Sequence, residues 1–316
     1  MNFDARFAVV ILAAFASANA MASLACVWQW RRAILPEAPI DRARFLFHLR
    51  LLPLVASVAW ATLASGSFVL FEPRSGDEHI GQTLPVLAAC GALLLLAAVI
   101  RLVTTIVRHH QMLSNWRRGA TSITLAGVTT PAFAINSDFP VVAVVGVLRP
   151  RLMVAQCVLD TCTAEELAAI LAHEQMHITR RDNLRRLLLM ALPDPFAWLS
   201  TGRAMDLAWH DAVEQVADEG AGDRAGDAGR VALAGALVRL ARLVPESQPI
   251  TELPASALYR GEPIEQRVRR LLDPIPPRPR APRHYQWAAL VVVLTLAIVL
   301  LNPIHELLEA AVTRLP

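Results

Sequence analysis

Four stretches without a single Asp, Glu, Lys or Arg constrain this chain more than any other feature: residues 7–30, 51–71, 81–100 and 285–304. Each is close to the roughly 20 apolar residues that carry a helix across a bilayer's hydrocarbon. With 55% hydrophobic residues among 316 and a mean hydropathy of +0.42, the composition is that of a membrane protein. The runs predict three transmembrane helices in residues 1–107 (about 7–30, 51–71 and 81–107), a fourth at 284–304 and a short tail at 305–316. The polar block between the third and fourth, 108–283, is long enough to bury a core of its own. The first run resembles a signal peptide around Ala18, Asn19 and Ala20, but it continues to Trp28 and Trp30 before Arg31 and Arg32 stop it, which predicts a retained span.

Charge placement orients the chain. The basic residues are all Arg, and the net charge is +3. Arg31, Arg32, Arg42, Arg44 and Arg50 follow the first run, and Arg101, Arg108, Arg117 and Arg118 follow the third. Between the second and third runs, Glu72, Asp77 and Glu78 outweigh Arg74. Positive loops stay in the cytoplasm, so the N-terminus is expected outside and block 108–283 inside. These arginines flank spans without an aromatic platform, which argues against direct nucleic-acid binding and makes membrane lipid the first expected partner. Cys26 and Cys90 fall in spans, and Cys157 and Cys162 lack zinc-ribbon spacing, so no disulfide framework is expected.

Inside the polar block lies HEQMH, residues 173–177. Thr163 through Glu166 form a capping box ahead of it, and Leu167, Ile170, Leu171 and Ile178 supply an apolar stripe, so the motif sits on a helix. Histidines four apart are about 40° apart around that helix and can share one metal ion, with Glu174 placed to take a proton from water. The competing reading is two surface histidines on an ordinary helix. The helix is expected to run on through Asn183 and the apolar residues 187–190 until Pro193 and Pro195; the segment 187–199 contains Asp194 and is too short to span, so it reads as a buried or membrane-surface turn.

Strand-like pieces at 123–128, 132–135, 141–148 and 152–159 predict a small antiparallel sheet whose edge can hold an extended peptide over the metal. Downstream, a helix from about 203 to 218 carries Glu214 and Asp218 and is expected to end in the Gly-rich run 218–229. Amphipathic helices at 231–243 and 264–272 and a stiff, Pro-rich basic linker at 274–284 complete the block. A zinc peptidase needs three protein ligands and an open position. Glu214 is the leading candidate for the third, although spacing alone leaves a solvated helix carboxylate equally open. Asp218, one turn on, can accept from a ligand histidine's other ring nitrogen. His210 and Asp211 are candidates for an oxyanion donor or for support behind the ligands, with a plain helix-surface role as the alternative.

HEQMHITRRDN followed by EQVAD resembles the gluzincin membrane peptidases of the BlaR/MecR type, as do PAFAINSDFPVVAVV before the zinc helix and RVRRLLDP before the last run. The resemblance implies a mainly α membrane protein of a bacterial inner membrane, with four transmembrane helices and a cytoplasmic α+β gluzincin metallopeptidase domain inserted between the third and fourth. It implies Zn²⁺ on His173, His177 and Glu214, Glu174 as general base, and Asp218 behind the ligands. It also implies, as function, signal-dependent cleavage of a cytoplasmic protein, a transcriptional repressor or the chain itself. Two departures qualify it. Ala217 stands where many relatives have Cys, as in HtpX-type peptidases, and no penicillin-binding sensor is expected after the fourth run, so a separate sensor partner or a homo-oligomer would carry the signal. Competing readings are a non-catalytic zinc-containing receptor or scaffold, disfavoured by Glu174, and an HtpX-like quality-control protease. An intramembrane site-2-type protease is disfavoured by Arg180, Arg181, Arg185 and Arg186 beside the motif.

Overall fold

The computed structural model describes residues 3–71, 81–137, 139–196, 199–244 and 263–273. Three helices in it are long and apolar enough to cross a membrane: α1 (Phe3–Arg32), α2 (Pro39–Phe71) and α3 (Thr83–Arg117). Helix α1 packs on both others. Its small residues Ala13, Ala14, Ala16 and Ala18 are buried, which lets the helix backbones approach closely. Gly91 of α3 completes that approach, since a Cβ there would come within 2.5 Å of the Leu12 carbonyl oxygen. The expected fourth span, the basic linker before it and the tail after it lie outside the described residues.

The helices overrun the uncharged runs. Helix α2 takes Arg42, Arg44 and Arg50 into its first turns, and α3 continues past Arg108 to Arg117. Arginines that read as loop therefore extend the spans as helix into the polar part of the molecule.

The sheet is small and mixed, which corrects the antiparallel expectation. Its strands are β1 (Thr121–Ile123), β2 (Ala132–Ile135), β3 (Val142–Val145) and β4 (Arg151–Ala155), in the order β1-β2-β4-β3. Strands β3 and β4 form a hairpin, but β4 lies between its partner and β2, and the β2–β4 pairing is parallel. The strands are shorter than the apolar runs that announced them. Residues 124–128 are turn and coil, and the expected strand through 159 gives way after Ala155 to helix α4 (Gln156–Thr161).

Helix α5 (Ala164–Arg180) begins at the expected capping box: Thr163 Oγ1 accepts from the Glu166 amide at 3.2 Å, and Glu166 accepts from the Thr163 amide at 2.9 Å. It does not run on through Asn183. Arg181 takes the left-handed conformation (φ 55°, ψ 42°), its amide closes back on the carbonyls of His177 and Ile178, and α6 (Asp182–Ala191) starts anew.

Helix α7 (Ser200–Leu243) is two helical segments that meet at a kink inside the Gly-rich run, where the first was expected to end. Only Gly226 leaves helical geometry, at φ 67° and ψ −160°, a conformation that costs glycine little. That single kink joins the two expected helices. Helix α8 (Ile264–Leu272) packs on α7.

The main core lies between sheet, α5, the second half of α7 and α8, around Val142, Val154, Ile170, Leu233 and Leu237. A second cluster joins Leu46 of α2 to Leu189, Leu192, Trp209 and Val213. Polar ties reinforce it. Arg50, buried in α2, bonds Asp194 in the α6–α7 turn and lies 2.9 Å from Asp206 of α7, while Arg42 donates to Gln215 at 3.3 Å. Arg101 of α3 donates to the Leu192 carbonyl. The expected turn at 187–199 is confined to its middle: residues 187–191 are the end of helix α6, with Leu188 and Met190 exposed, and 192–196 form the turn, whose Leu192 and Asp194 are buried against the apolar helices.

Candidate metal centre

The centre grows from two helices that share a long contact, α5 and α7. His173, Glu174 and His177 come from the last turns of α5, and Glu214 and Asp218 from α7, all buried. His173 and His177 turn their Nε2 atoms toward each other, 3.2 Å apart. Glu214 faces both, Oε2 at 3.5 Å from His173 Nε2 and Oε1 at 3.6 Å from His177 Nε2.

These three groups fit one ion. Bonds of about 2.0–2.1 Å in tetrahedral geometry place ligand atoms about 3.4 Å apart, and the observed separations of 3.2, 3.5 and 3.6 Å bracket that value. They are the one group of candidate ligands of this kind among the described residues. Both Glu214 oxygens are buried without a hydrogen-bond partner among the described residues. A buried carboxylate left so is costly unless a cation completes it.

The other ring nitrogens face carboxylates. Asp218 Oδ1 lies 2.9 Å from His173 Nδ1, at the position one helical turn beyond Glu214 suggested. Asp182 Oδ2 lies 3.0 Å from His177 Nδ1. Such pairs set which nitrogen is left to bind metal. Asp182 escaped sequence reasoning, although it stands in the RRDN stretch, because an unbroken helix would point it elsewhere. Arg267 of α8 also escaped it. Fully buried, it donates to both Asp218 oxygens at 2.9 and 2.7 Å and approaches Glu214 Oε2 at 3.5 Å.

The charges are strongly coupled. Burial pushes the His173 pKa down, but Asp218 and Glu214 outweigh it and hold the ring at about 10. His177 rises in the same sense, burial being overcome by Glu214 and Asp182. Burial raises the Glu214 carboxyl, yet His177, His173 and Arg267 hold it at about 2. Asp218 is held well below the ordinary carboxylate range, against burial, by Arg267 and His173. Glu174 goes the other way, because burial outweighs the pull of the two histidines.

Glu174 Oε2 accepts the Val144 amide of β3 at 3.1 Å, and Oε1 is buried without a hydrogen-bond partner among the described residues. A small open cleft lies beside it, lined by Ala143, Val144, His177, Asn183, His210 and Glu214 among others. His210 thus reaches the cleft. Asp211, its neighbour on α7, is not among the described lining residues.

Residues 73–200 match the family model described as BlaR1 peptidase M56. The match supports a BlaR/MecR-type membrane metallopeptidase. It includes α3, the sheet, HEQMH and Asp182, and it ends before Glu214 and Asp218. Those two carboxylates therefore join the M56 motif through the fold, independently of the match. No curated protein matches the chain. The M56 family implies a membrane-associated metallopeptidase, and the three apolar helices agree with a membrane location.

Proposed function

We propose that this M56-type chain is a zinc metalloendopeptidase that cleaves a cytoplasmic regulatory protein, repressor-like in class, or the chain itself, when a separate sensor partner or a second copy signals through the membrane helices. The observation that carries the peptidase reading is the convergence of His173, His177 and Glu214 beside a carboxylate, Glu174, that holds no place in the ligand set. A structural zinc site has no use for such a base and fills its fourth position with protein.

His173 Nε2, His177 Nε2 and a Glu214 oxygen would hold the ion. Zinc bound there supplies Lewis acidity toward a peptide carbonyl and makes water a stronger acid. Val144 holds Glu174 by Oε2, leaving Oε1 without a hydrogen-bond partner among the described residues and so available to a water. Glu174 accepts a proton from the attacking water and returns it to the departing amine as the C–N bond breaks, so the base is regenerated. Of the two sheet edges, β1 and β3, it is β3 that borders this carboxylate, and we assign it the substrate along the part of the edge that Glu174 and Asn183 do not engage at Val144 and Gly146. His210, on the cleft wall, is the candidate donor to the developing oxyanion.

The domain plan is part of the same reading: spans in 1–107, peptidase block 108–283 in the cytoplasm of a bacterial cell, a fourth span at 284–304 and an outer tail. The deciding experiment compares cellular protein N-termini between wild type and Glu174→Gln. The variant should keep its zinc and its membrane abundance yet cleave at least about 10²-fold more slowly, since a general base contributes about 10² to 10⁴. If it supports the wild-type output while His173→Ala abolishes it, the zinc is structural and the peptidase reading is wrong.

A further inference from the structure

The turn after the metal helix does two things at once. Asp182 reaches back to His177, while the next residue, Asn183, reaches across to the edge strand. Its Nδ2 donates to the Val144 carbonyl at 2.9 Å and to the Gly146 carbonyl at 3.1 Å. Val144 is the residue whose amide holds Glu174 Oε2. Both backbone groups of Val144 are therefore turned away from β4 and engaged by the metal site's own elements, N–H by α5 and C=O by α6. In the hairpin, Val141 by contrast gives its carbonyl to the Ala155 amide of β4.

An edge strand has no neighbour to fix its outer side, and the end of β3 runs straight into Gly146 at φ 92°. Apart from the Val144 amide's bond to Glu174, the segment 144–146 has among the described ties its inner pairing with Leu152 and Arg151. Asn183 adds a second outer tie, and the left-handed break at Arg181 aims it. One residue pair, Asp182 and Asn183, thus links a metal-ligand candidate and the candidate substrate edge through a single peptide unit. The rigidity matters because a misplacement of about 1 Å at a reacting centre can cost about 10²-fold in rate.

We propose that Asn183 is a positioning residue: its carboxamide clamps edge strand β3 to the turn that orients His177, so that the substrate edge, Glu174 and the metal site keep one register. The proposal rests on the peptidase reading for its functional consequence, but the clamp itself is testable without catalysis.

The experiment uses the full chain in detergent micelles, loaded with zinc, as wild type, Asn183→Ala and Asn183→Asp. Asn183→Asp keeps the shape and removes both donors. Amide hydrogen exchange is read over 142–146, alongside metal content and hydrolysis of a fluorescent casein. In both variants, exchange at Val144 should rise at least about tenfold, the scale of losing one or two hydrogen bonds of about 1 kcal/mol each, while bound zinc stays at the wild-type level. Hydrolysis should fall at least about tenfold in kcat, with KM within about threefold. Unchanged exchange in Asn183→Asp overturns the clamp, and so does loss of zinc, which would make Asn183 a support of the metal site instead. A fall in KM at undiminished kcat also overturns it, because Asn183 would then be a plug that substrate displaces. Absence of hydrolysis in wild type counts against the peptidase reading alone, and the exchange arm still decides the clamp.

Discussion

Asp182 Oδ2 lies 3.0 Å from His177 Nδ1, five residues away in sequence and across a helix break. On an unbroken helix that separation would place the two side chains about 140° apart around the axis. Arg181 in the left-handed region, a conformation costing an L-residue roughly 1–2 kcal/mol, folds Asp182 back onto the ring. That local strain is held by the Arg181 amide's bonds to α5 and by the contacts of Asp182 and Asn183.

The first prediction concerns this pair. Asp182→Ala should weaken zinc binding about 10- to 100-fold, the usual effect of removing the partner behind a ligand histidine. Titration against a competing chelator measures it. An unchanged affinity would mean that the His177 ring is oriented by packing alone.

Removing Arg267 takes from Asp218 and, in the metal-free protein, from Glu214 one of the buried cations beside them. Breaking a buried pair from one side costs about 3–5 kcal/mol. Arg267→Met should therefore lower the thermal midpoint in the metal-free protein strongly and in the zinc-loaded protein less, since zinc supplies positive charge to Glu214. Equal losses in both forms would show that Arg267 serves Asp218 only.

Metal uptake should release protons. In the metal-free protein, Asp218 and Glu214 hold His173 at about 10, above its ordinary 6.5, so its ring is charged at neutral pH. A ligand imidazole must be neutral, so zinc displaces that proton, and affinity rises with pH up to about 10. By the same linkage, the stability that the charged ring adds to the metal-free protein is complete below about pH 6.5 and is lost as pH rises through about 10. Calorimetry in buffers of different ionisation enthalpy should find at least one proton released per zinc at pH 7. Zero release would contradict the charged state of His173.

The proposed orientation, with the N-terminus outside and the metal centre inside, rests on the arginine asymmetry. Alkaline phosphatase fused at Gly76 should be active and at Gly226 silent. The reverse pattern would put the metal centre outside the cell and remove the cytoplasmic substrate from the proposal.

Local chemistry determined what could be read from the chain by itself. The first three uncharged runs became α1, α2 and α3, and Thr163 with Glu166 became the cap of α5, because apolar helices and capping boxes depend on residues within a few positions of one another. The HEQMH face needed only helical periodicity. Glu214 stood undecided between ligand and solvated carboxylate because its partners lie on another helix, and only the packing of α7 on α5 brought it to the histidines.

The remaining features were decided by tertiary structure. The Gly-rich run 218–229 read as a helix end without saying which glycine breaks it; Gly220 and Gly222 stay helical, close against Met176 and Arg230, and the break comes at Gly226. The mixed sheet arises because β4 inserts between β2 and β3, a choice among non-local pairings that alternation cannot specify. Arg267 and Asn183 stand in the stretches RVRRLLDP and HEQMHITRRDN, yet no role for either is readable there, since an arginine in an amphipathic helix and an asparagine near a helix end are ordinarily surface residues. Burial against Asp218 and the free edge of β3 give them their roles, because a buried charge and an edge backbone both require partners that water no longer supplies.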